Sequence, residues 1–394
     1  MRKNNLKENI KVDMEYFNHM CNNFTKSEID MEIGESFMQD LITDSNFPII
    51  THSGQFHADE VFSIALIMLA RITVNHAITG TPVVIKESML PYSNIIRRGE
   101  PINDDEEGRF LYQNNLIIDI KNGHFDHHMK QDLQMHCPSN PFKKLGSDDC
   151  DINSTHSMAT IGCLWNTLGP LFNIKLNNPE IVKFNVFDKV YWDLINVLDI
   201  ADVYGPSVIY SPLSILISSM NGCSEMEIDF MKSYIEDDNA AFYEAIMTAY
   251  KILRLFILKA QRFMESFNKL DTDLISVQMS KHGVNYLQIN PVGEGEKDPF
   301  IPLDAVKWIN NGSVKFIVNR NPCERDGTYR CIAVDSTETP FDPDVQNSCN
   351  GIKFYHPQNF LITFNSLEDQ MDFVDRCGLI DNAIGIYPTP DKAA

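Results

Sequence analysis

Positive charge is what the 394-residue chain has least of: 33 Lys and Arg face 54 Asp and Glu, a formal net charge of −21 with His taken as neutral. A protein that coats duplex nucleic acid neutralises phosphates with Lys and Arg, so this balance argues against that role. It leaves room for a small basic pocket, or for metal ions among clustered carboxylates. No uninterrupted apolar run reaches about 18 residues, so a membrane span is not expected. The first 46 residues lack the apolar core of a signal peptide and hold too many acids for a transit peptide. The nine cysteines are odd in number and form no CxxC pair. Free thiols in a reducing compartment follow, and with them an intracellular, cytoplasmic location. Walker A, GxGxxG and GxSxG patterns are all missing. Hydrophobic residues make up 43% of the chain, enough for ordinary cores, which excludes wholesale disorder and fits two or three domains.

The organisation expected from the pattern is an α/β protein. Residues 1–46 form an appended N-terminal arm, partly helical around 32–41. Residues 47–220 form a mainly parallel-sheet domain. Phe47–Thr51 is a strand, ended by His52-Ser53-Gly54. The dense apolar stretch from Asp59 to Arg71 predicts a helix buried on most faces. Strands are expected at Pro82–Ile85 and Leu116–Ile120, with charged loops at 98–109 and 138–154, and helices at Ser157–Leu168 and Pro179–Leu198. A long helical connector, 221–269, carries Met226, Phe230, Tyr234, Phe242, Ile246 and Leu253 among its apolar positions. It leads to a smaller α+β lobe, 270–394. Antiparallel strands are expected there near 274–279, 285–289, 314–318 and 329–334, with a closing helix at 367–377.

Chemistry concentrates in three clusters. Six of the eleven His lie between residues 52 and 128. In THSGQFHADE (51–60), His52, His57, Asp59 and Glu60 crowd the loop between a strand and a helix, the usual place for ligands in open α/β sheets. The plain alternative is a helix cap, with Asp59 and Glu60 favouring the N-terminal dipole. In IIDIKNGHFDHHMKQ (117–131), Asp119 ends an apolar strand and Asp126, His127 and His128 follow a turn. Consecutive side chains in an extended segment point to opposite faces, so one His can ligate a metal while its neighbour meets a phosphate; Asp126 would orient an imidazole. In LDIADVYGP (198–206), Asp199 and Asp202 share a helical face in an apolar setting, where a carboxylate needs a partner or a cation. Mixed imidazole and carboxylate donors suit Mn, Mg, Zn or Fe better than a thiolate zinc site. Two cations bridged by an Asp would clamp a phosphoester and activate water as the nucleophile.

Taken in order, HSGQFHADE, a strand-end Asp, DHH and DIAD resemble the DHH phosphoesterase superfamily of RecJ-type nucleases, family II pyrophosphatases and oligonucleotide phosphodiesterases. THSGQFHADEVFSIALIML (51–69) is most similar to the melanocyte-proliferating-gene (Myg) family of metal-dependent 3′–5′ exoribonucleases, which has mitochondrial and nuclear members. HSMATIGCLWNTLG (156–169) and LDIADVYG resemble two further segments of that family. The resemblance is close over 47–220 and holds in outline beyond. It implies His52, His57, Asp59, Asp119 and His127 as metal ligands, with Asp119 bridging, and either Asp199 or Asp202 as the last acid. It implies catalytic roles for Asp119, Asp126 and His128. Candidate substrate contacts are His128, His356, Arg98 and Arg320. The cofactors implied are two divalent cations, Mn2+ first, with Mg2+ or Zn2+ as alternatives, and the partner is a short single-stranded RNA or oligonucleotide. The chain departs from the family in three places. Residue 58 is Ala where Cys is frequent, only seven residues separate Asp119 from Asp126, and 354–370 lacks a glycine pair. The metal motifs are therefore better kept than the substrate lobe. Two other readings stand beside the exonuclease: a hydrolase of a small phospho-compound such as pyrophosphate or a dinucleotide, and a non-catalytic relative that retains the fold.

Overall fold

The computed structural model describes residues 37–79, 94–125, 158–177, 184–205, 208–221, 239–270, 275–291, 301, 303–307, 309, 313–320, 329–334, 341 and 349–376. The chain is α/β and divides into two compact units, one of 1–175 with 184–261 and one of 176–183 with 262–394. The expected strand at Pro82–Ile85, the loop at 138–154, Pro179 and the triplet Asp126-His127-His128 lie outside the described residues.

The first unit is organised on a parallel sheet. Strand β1 (Ile49–His52) lies between β2 (Ile95–Arg98) and β3 (Leu116–Ile117), in the order β2-β1-β3. Parallel neighbours cannot be joined by a tight turn, and helices accordingly stand between these strands in the chain. Helix α2 (Ala58–Thr79) follows β1, and α3 (Glu106–Asn114) follows β2. By length and composition α2 would cross a membrane, yet every residue from Ala58 to Arg71 is buried within the protein. Unbroken burial explains its all-round apolar face.

Helix α1 (Phe37–Thr43), placed by the sequence in an appended arm, instead buries Phe37, Met38, Leu41 and Ile42. It packs on α2 and is tied to it by Arg71. The buried guanidinium donates to the carbonyls of Leu41 (2.7 Å), Ser45 (3.3 Å) and Phe47 (2.8 Å). The 98–109 stretch, expected as a loop, holds the end of β2 and the start of α3. Asp105 caps that helix by accepting from the Gly108 N–H at 2.7 Å. A charged surface helix with a glycine in its first turn has little apolar period to reveal it.

Further along, α4 (Thr160–Leu168) packs against α2. Helix α5 (Val186–Val190) opens with a capping box between Asn185 and Asp188, so the expected helix begins at Val186. A π-helical turn, Tyr191–Ile195, leads into α6 (Asn196–Tyr204), which stops at Gly205 with φ 81°. Helix α7 (Pro212–Ser219) is capped by Ser211, and α8 (Asn239–Phe267) is the long helix expected from the sequence.

The second unit holds a six-stranded mixed sheet, β4 (Ile275–Met279), β5 (Asn285–Ile289), β6 (Val314–Asn319), β7 (Tyr329–Ala333), β8 (Ile352–Tyr355) and β9 (Leu361–Phe364), ordered β4-β5-β6-β7-β9-β8. The wholly antiparallel expectation fails at β5 and β6, which pair in parallel. The connection between them carries the short helix α9 (Leu303–Val306), the kind of crossover that parallel pairing requires. Strands β8 and β9 escape the sequence reading because each is four residues long and Pro357 and Asn359 lie between them. Helix α10 (Leu367–Arg376) lays Phe373 and Val374 into a core with Phe316, Phe341 and Phe364.

Two expectations follow for the first unit. Arg71→Met leaves three carbonyls without their shared donor, and we expect a loss of about 3 kcal/mol in urea unfolding. His124 is stacked between Tyr112 (3.8 Å) and Phe37 (4.8 Å), and its Nδ1 accepts from the Ile117 N–H at 3.1 Å. Burial moves its pKa from the ordinary 6.5 down to about 3. The folded ring stays neutral while the unfolded ring takes a proton, so this contribution to stability is whole above pH 6.5 and is lost as pH falls towards 3. In His124→Gln the stability profile should be flatter across that window; an unchanged acid slope would show that another group dominates.

Candidate metal centre

The motif residues gather at the carboxyl ends of the parallel strands, where open α/β sheets place their ligands. His52 is the last residue of β1, and Arg98, its register partner, is the last of β2. Asp119 lies two residues beyond β3, and His57 immediately precedes α2. Two backbone features shape these turns. Gly54 has φ 91°, which lets the chain leave β1 and double back towards α2. Asp119 has φ 51°, a left-handed conformation that Asp tolerates better than most residues. Non-glycine outliers of this kind gather at functional sites.

The ligand atoms of His52, His57 and Asp119 all lie within 4.8 Å of one another. The two rings are 5.4 Å apart, centroid to centroid. His52 Nδ1 lies 3.0 Å from the Ser53 carbonyl. A proton held there leaves Nε2 as the donor atom, as metal-binding imidazoles usually require. Nε2 lies 2.8 Å from Glu60 Oε1 and 3.3 Å from Asp119 Oδ2, but it has no partner in hydrogen-bond geometry among the described residues. Burial is the largest influence on the His52 pKa and lowers it. The Asp119 and Glu60 side chains outweigh that effect and raise the value to about 11.

The carboxylates are buried deeply. Glu60, fully buried, accepts from the Thr51 hydroxyl at 2.6 Å and from the His57 N–H at 3.1 Å. Asp59 Oδ1 accepts from the Ile161 N–H at 2.7 Å, while its buried Oδ2 has no partner among the described residues. Burial, then the charges of Asp202 and Asp119, hold the Asp59 carboxyl well above the usual range; the Ile161 N–H opposes this, and Asp199 adds to it. Asp199 accepts from the Ala159 N–H (2.5 Å) and from the Tyr191 hydroxyl (3.1 Å).

The fold therefore brings His52, His57, Asp59, Asp119, Asp199 and Asp202 to one region. Arg98 reaches the same sheet end, with its guanidinium 3.8 Å from Glu100 and 3.9 Å from Glu107. Arg320 and His356 belong to the second unit. Arg320 packs against Met371. His356 opens the β8–β9 turn and lies tilted against Phe360, with ring centroids 4.1 Å apart. Three residues support the site through contacts that the sequence did not foretell. Glu60, read as a dipole partner, also binds the His57 N–H across the three-residue spacing of a capping box, which is a legible signal. Asn221 accepts from the Phe56 N–H and donates to its carbonyl, both at 2.9 Å, and Arg97 donates to the Gly54 carbonyl at 2.5 Å. No sequence pattern marks either contact.

The donor chemistry fits divalent cations: imidazole nitrogen and carboxylate oxygen converge, and a buried Asp59 oxygen has no partner among the described residues. The MYG1_exonuc family model, described as "Uncharacterised protein family (UPF0160)", matches residues 48–346. No curated protein and no solved structure matches the chain. The match runs over the metal-centre segments and well into the second unit, and the chain belongs to the MYG1_exonuc family.

Proposed function

We propose that the protein is a divalent-metal-dependent phosphodiester hydrolase that removes nucleotides from the 3′ end of RNA or of short single-stranded oligonucleotides. The observation that carries this reading is the meeting of His52, His57 and Asp119 donor atoms within 4.8 Å, together with a buried Asp59 oxygen that has no partner among the described residues. The family's name, which includes an exonuclease label, agrees with it. His52, His57, Asp59 and Asp119 would hold two cations, Mn2+ first, with Asp202 as the further carboxylate and His127 joining by resemblance. When bound, such cations polarise a phosphoryl oxygen and make water a stronger nucleophile near neutral pH.

The chain's own groups do the rest. The Ser53 carbonyl fixes the tautomer of His52. Glu60 holds Thr51, His52 and His57 in one arrangement. Arg98, at the same sheet end, is the described cation we assign to a substrate phosphate. Asp126 and His128 are assigned by resemblance to orienting an imidazole and contacting substrate. A net charge of −21 repels long polyanions and favours short substrates, which also sustains a second reading, hydrolysis of a dinucleotide or pyrophosphate.

Asp119→Asn should lower Mn-dependent cleavage of a 5′-labelled single-stranded RNA by about a thousandfold, the several kcal/mol expected of metal catalysis, with the unfolding midpoint near that of the unaltered protein. The unaltered protein should shorten the RNA stepwise from its 3′ end and release mononucleotides. Full activity in Asp119→Asn would overturn the assignment. Pyrophosphate or dinucleotide turnover without RNA cleavage would select the second reading.

A further inference from the structure

Helix α4 begins at a residue that cannot cap it. Ala159 occupies the N-cap with an extended backbone and no side-chain hydrogen bond, and Ala is among the poorest residues there. Ala159, Thr160 and Ile161 are all fully buried, so water does not serve the free N–H groups of this first turn. Carboxylates from distant parts of the chain serve them instead. Asp199 of α6 takes the Ala159 N–H at 2.5 Å, and Asp59 of α2 takes the Ile161 N–H at 2.7 Å. A third tie runs outward: the Thr160 hydroxyl donates to the Phe125 carbonyl at 2.8 Å. Phe125 follows the Asp119 turn and immediately precedes Asp126 in the chain. Gly162 completes the arrangement, because a Cβ there would stand 2.5 Å from Asp199 Oδ1.

One helical turn thus touches all three metal-motif segments. We infer that the first turn of α4 sets their mutual register, and that Thr160 and Gly162 are positioning residues for the metal centre. This rests on the metal-binding reading above. The partial positive charge of the helix N-terminus balances two buried carboxylates, and the short backbone bonds fix where each can lie. Thr160 fixes the segment that leads from Asp119 to the triplet. Gly162 lets Asp199 approach the helix backbone, and so sets the height of α6, which also carries Asp202.

The test is Mn2+ binding to the full chain, followed by titration calorimetry alongside the unfolding midpoint. Thr160→Val keeps the side-chain shape and removes the donor; Thr160→Ser keeps the donor. We expect Thr160→Val to bind Mn2+ about 10–100-fold more weakly while still folded, as partners that orient metal ligands typically do, and Thr160→Ser to recover most of the affinity. Gly162→Ala is an independent variant with the same expected weakening, and it decides the matter if Thr160→Val does not fold. Unaltered Mn2+ affinity in Thr160→Val or Gly162→Ala, with binding by the unaltered protein intact, would overturn the inference and leave the metal reading standing. An unaltered protein that takes up no Mn2+ would overturn both.

Discussion

Buried negative charge is the constraint around which the first unit is arranged. Glu60 and Asp199 are fully buried, Asp59 is 1% exposed and Asp119 9%. A carboxylate removed from water without partners is costly, and the deepest of these groups are matched to donors. Glu60 is satisfied by a hydroxyl and a backbone N–H, with an imidazole alongside. Asp199 is satisfied by a backbone N–H and a phenol. Asp59 has one oxygen satisfied and the other without a donor among the described residues. The charges of Asp202 and Asp119 press on Asp59, and His52 Nε2 lies 3.3 Å from Asp119. The surplus negative charge makes this end of the sheet chemically suited to a cation.

The fold tolerates that surplus because the ligand-bearing segments are built into rigid elements. Asp59 and Glu60 begin a helix that is buried without a break as far as Arg71. His52 ends a central strand. The segment between them is held from several sides. Asn221 pairs with both backbone groups of Phe56, as a neighbouring strand would. Arg97 donates to Gly54 while its guanidinium lies 4.6 Å from the Phe242 ring centre, and that ring is 5.5 Å from Phe56. Sites held on strand ends and helix starts keep ligand geometry better than free loops do.

The sequence showed the donors more clearly than their supports, for a physical reason. A ligand set needs particular residue types, and His, His and Asp clustered beside apolar runs are conspicuous. The strand before His52, the buried helix after it and the start of the strand before Asp119 were legible because continuous apolar runs mark buried elements, although that last strand stops at Ile117 where the apolar run suggested Ile120. Supports work through backbone groups and long-range pairs. Nothing local in the sequence ties Asn221 to Phe56, or Thr160 to Phe125. Four-residue strands such as β8 and β9 carry too few alternations to register, and the parallel pairing of β5 with β6 depends on a crossover rather than on either strand's pattern.

The pair Asp199 and Asp202 shows how a spacing read correctly can still leave a role open. Three residues apart on α6, the two acids share a face, and the sequence offers no ground for choosing between them. Their surroundings differ. Asp199 is fully buried, both its oxygens are engaged, and the α4 backbone packs against it so closely that residue 162 has no room for a side chain. Moving it to meet a cation would release the Ala159 N–H and the Tyr191 hydroxyl inside the core. Asp202 is half-buried and acts on Asp59 through charge, more strongly than Asp119 does. A carboxylate nearer solvent can trade hydration for a cation at much lower cost than a fully buried one. Burial separates the two acids: the inner one is committed to the start of α4, and the outer one keeps no such tie to that helix turn.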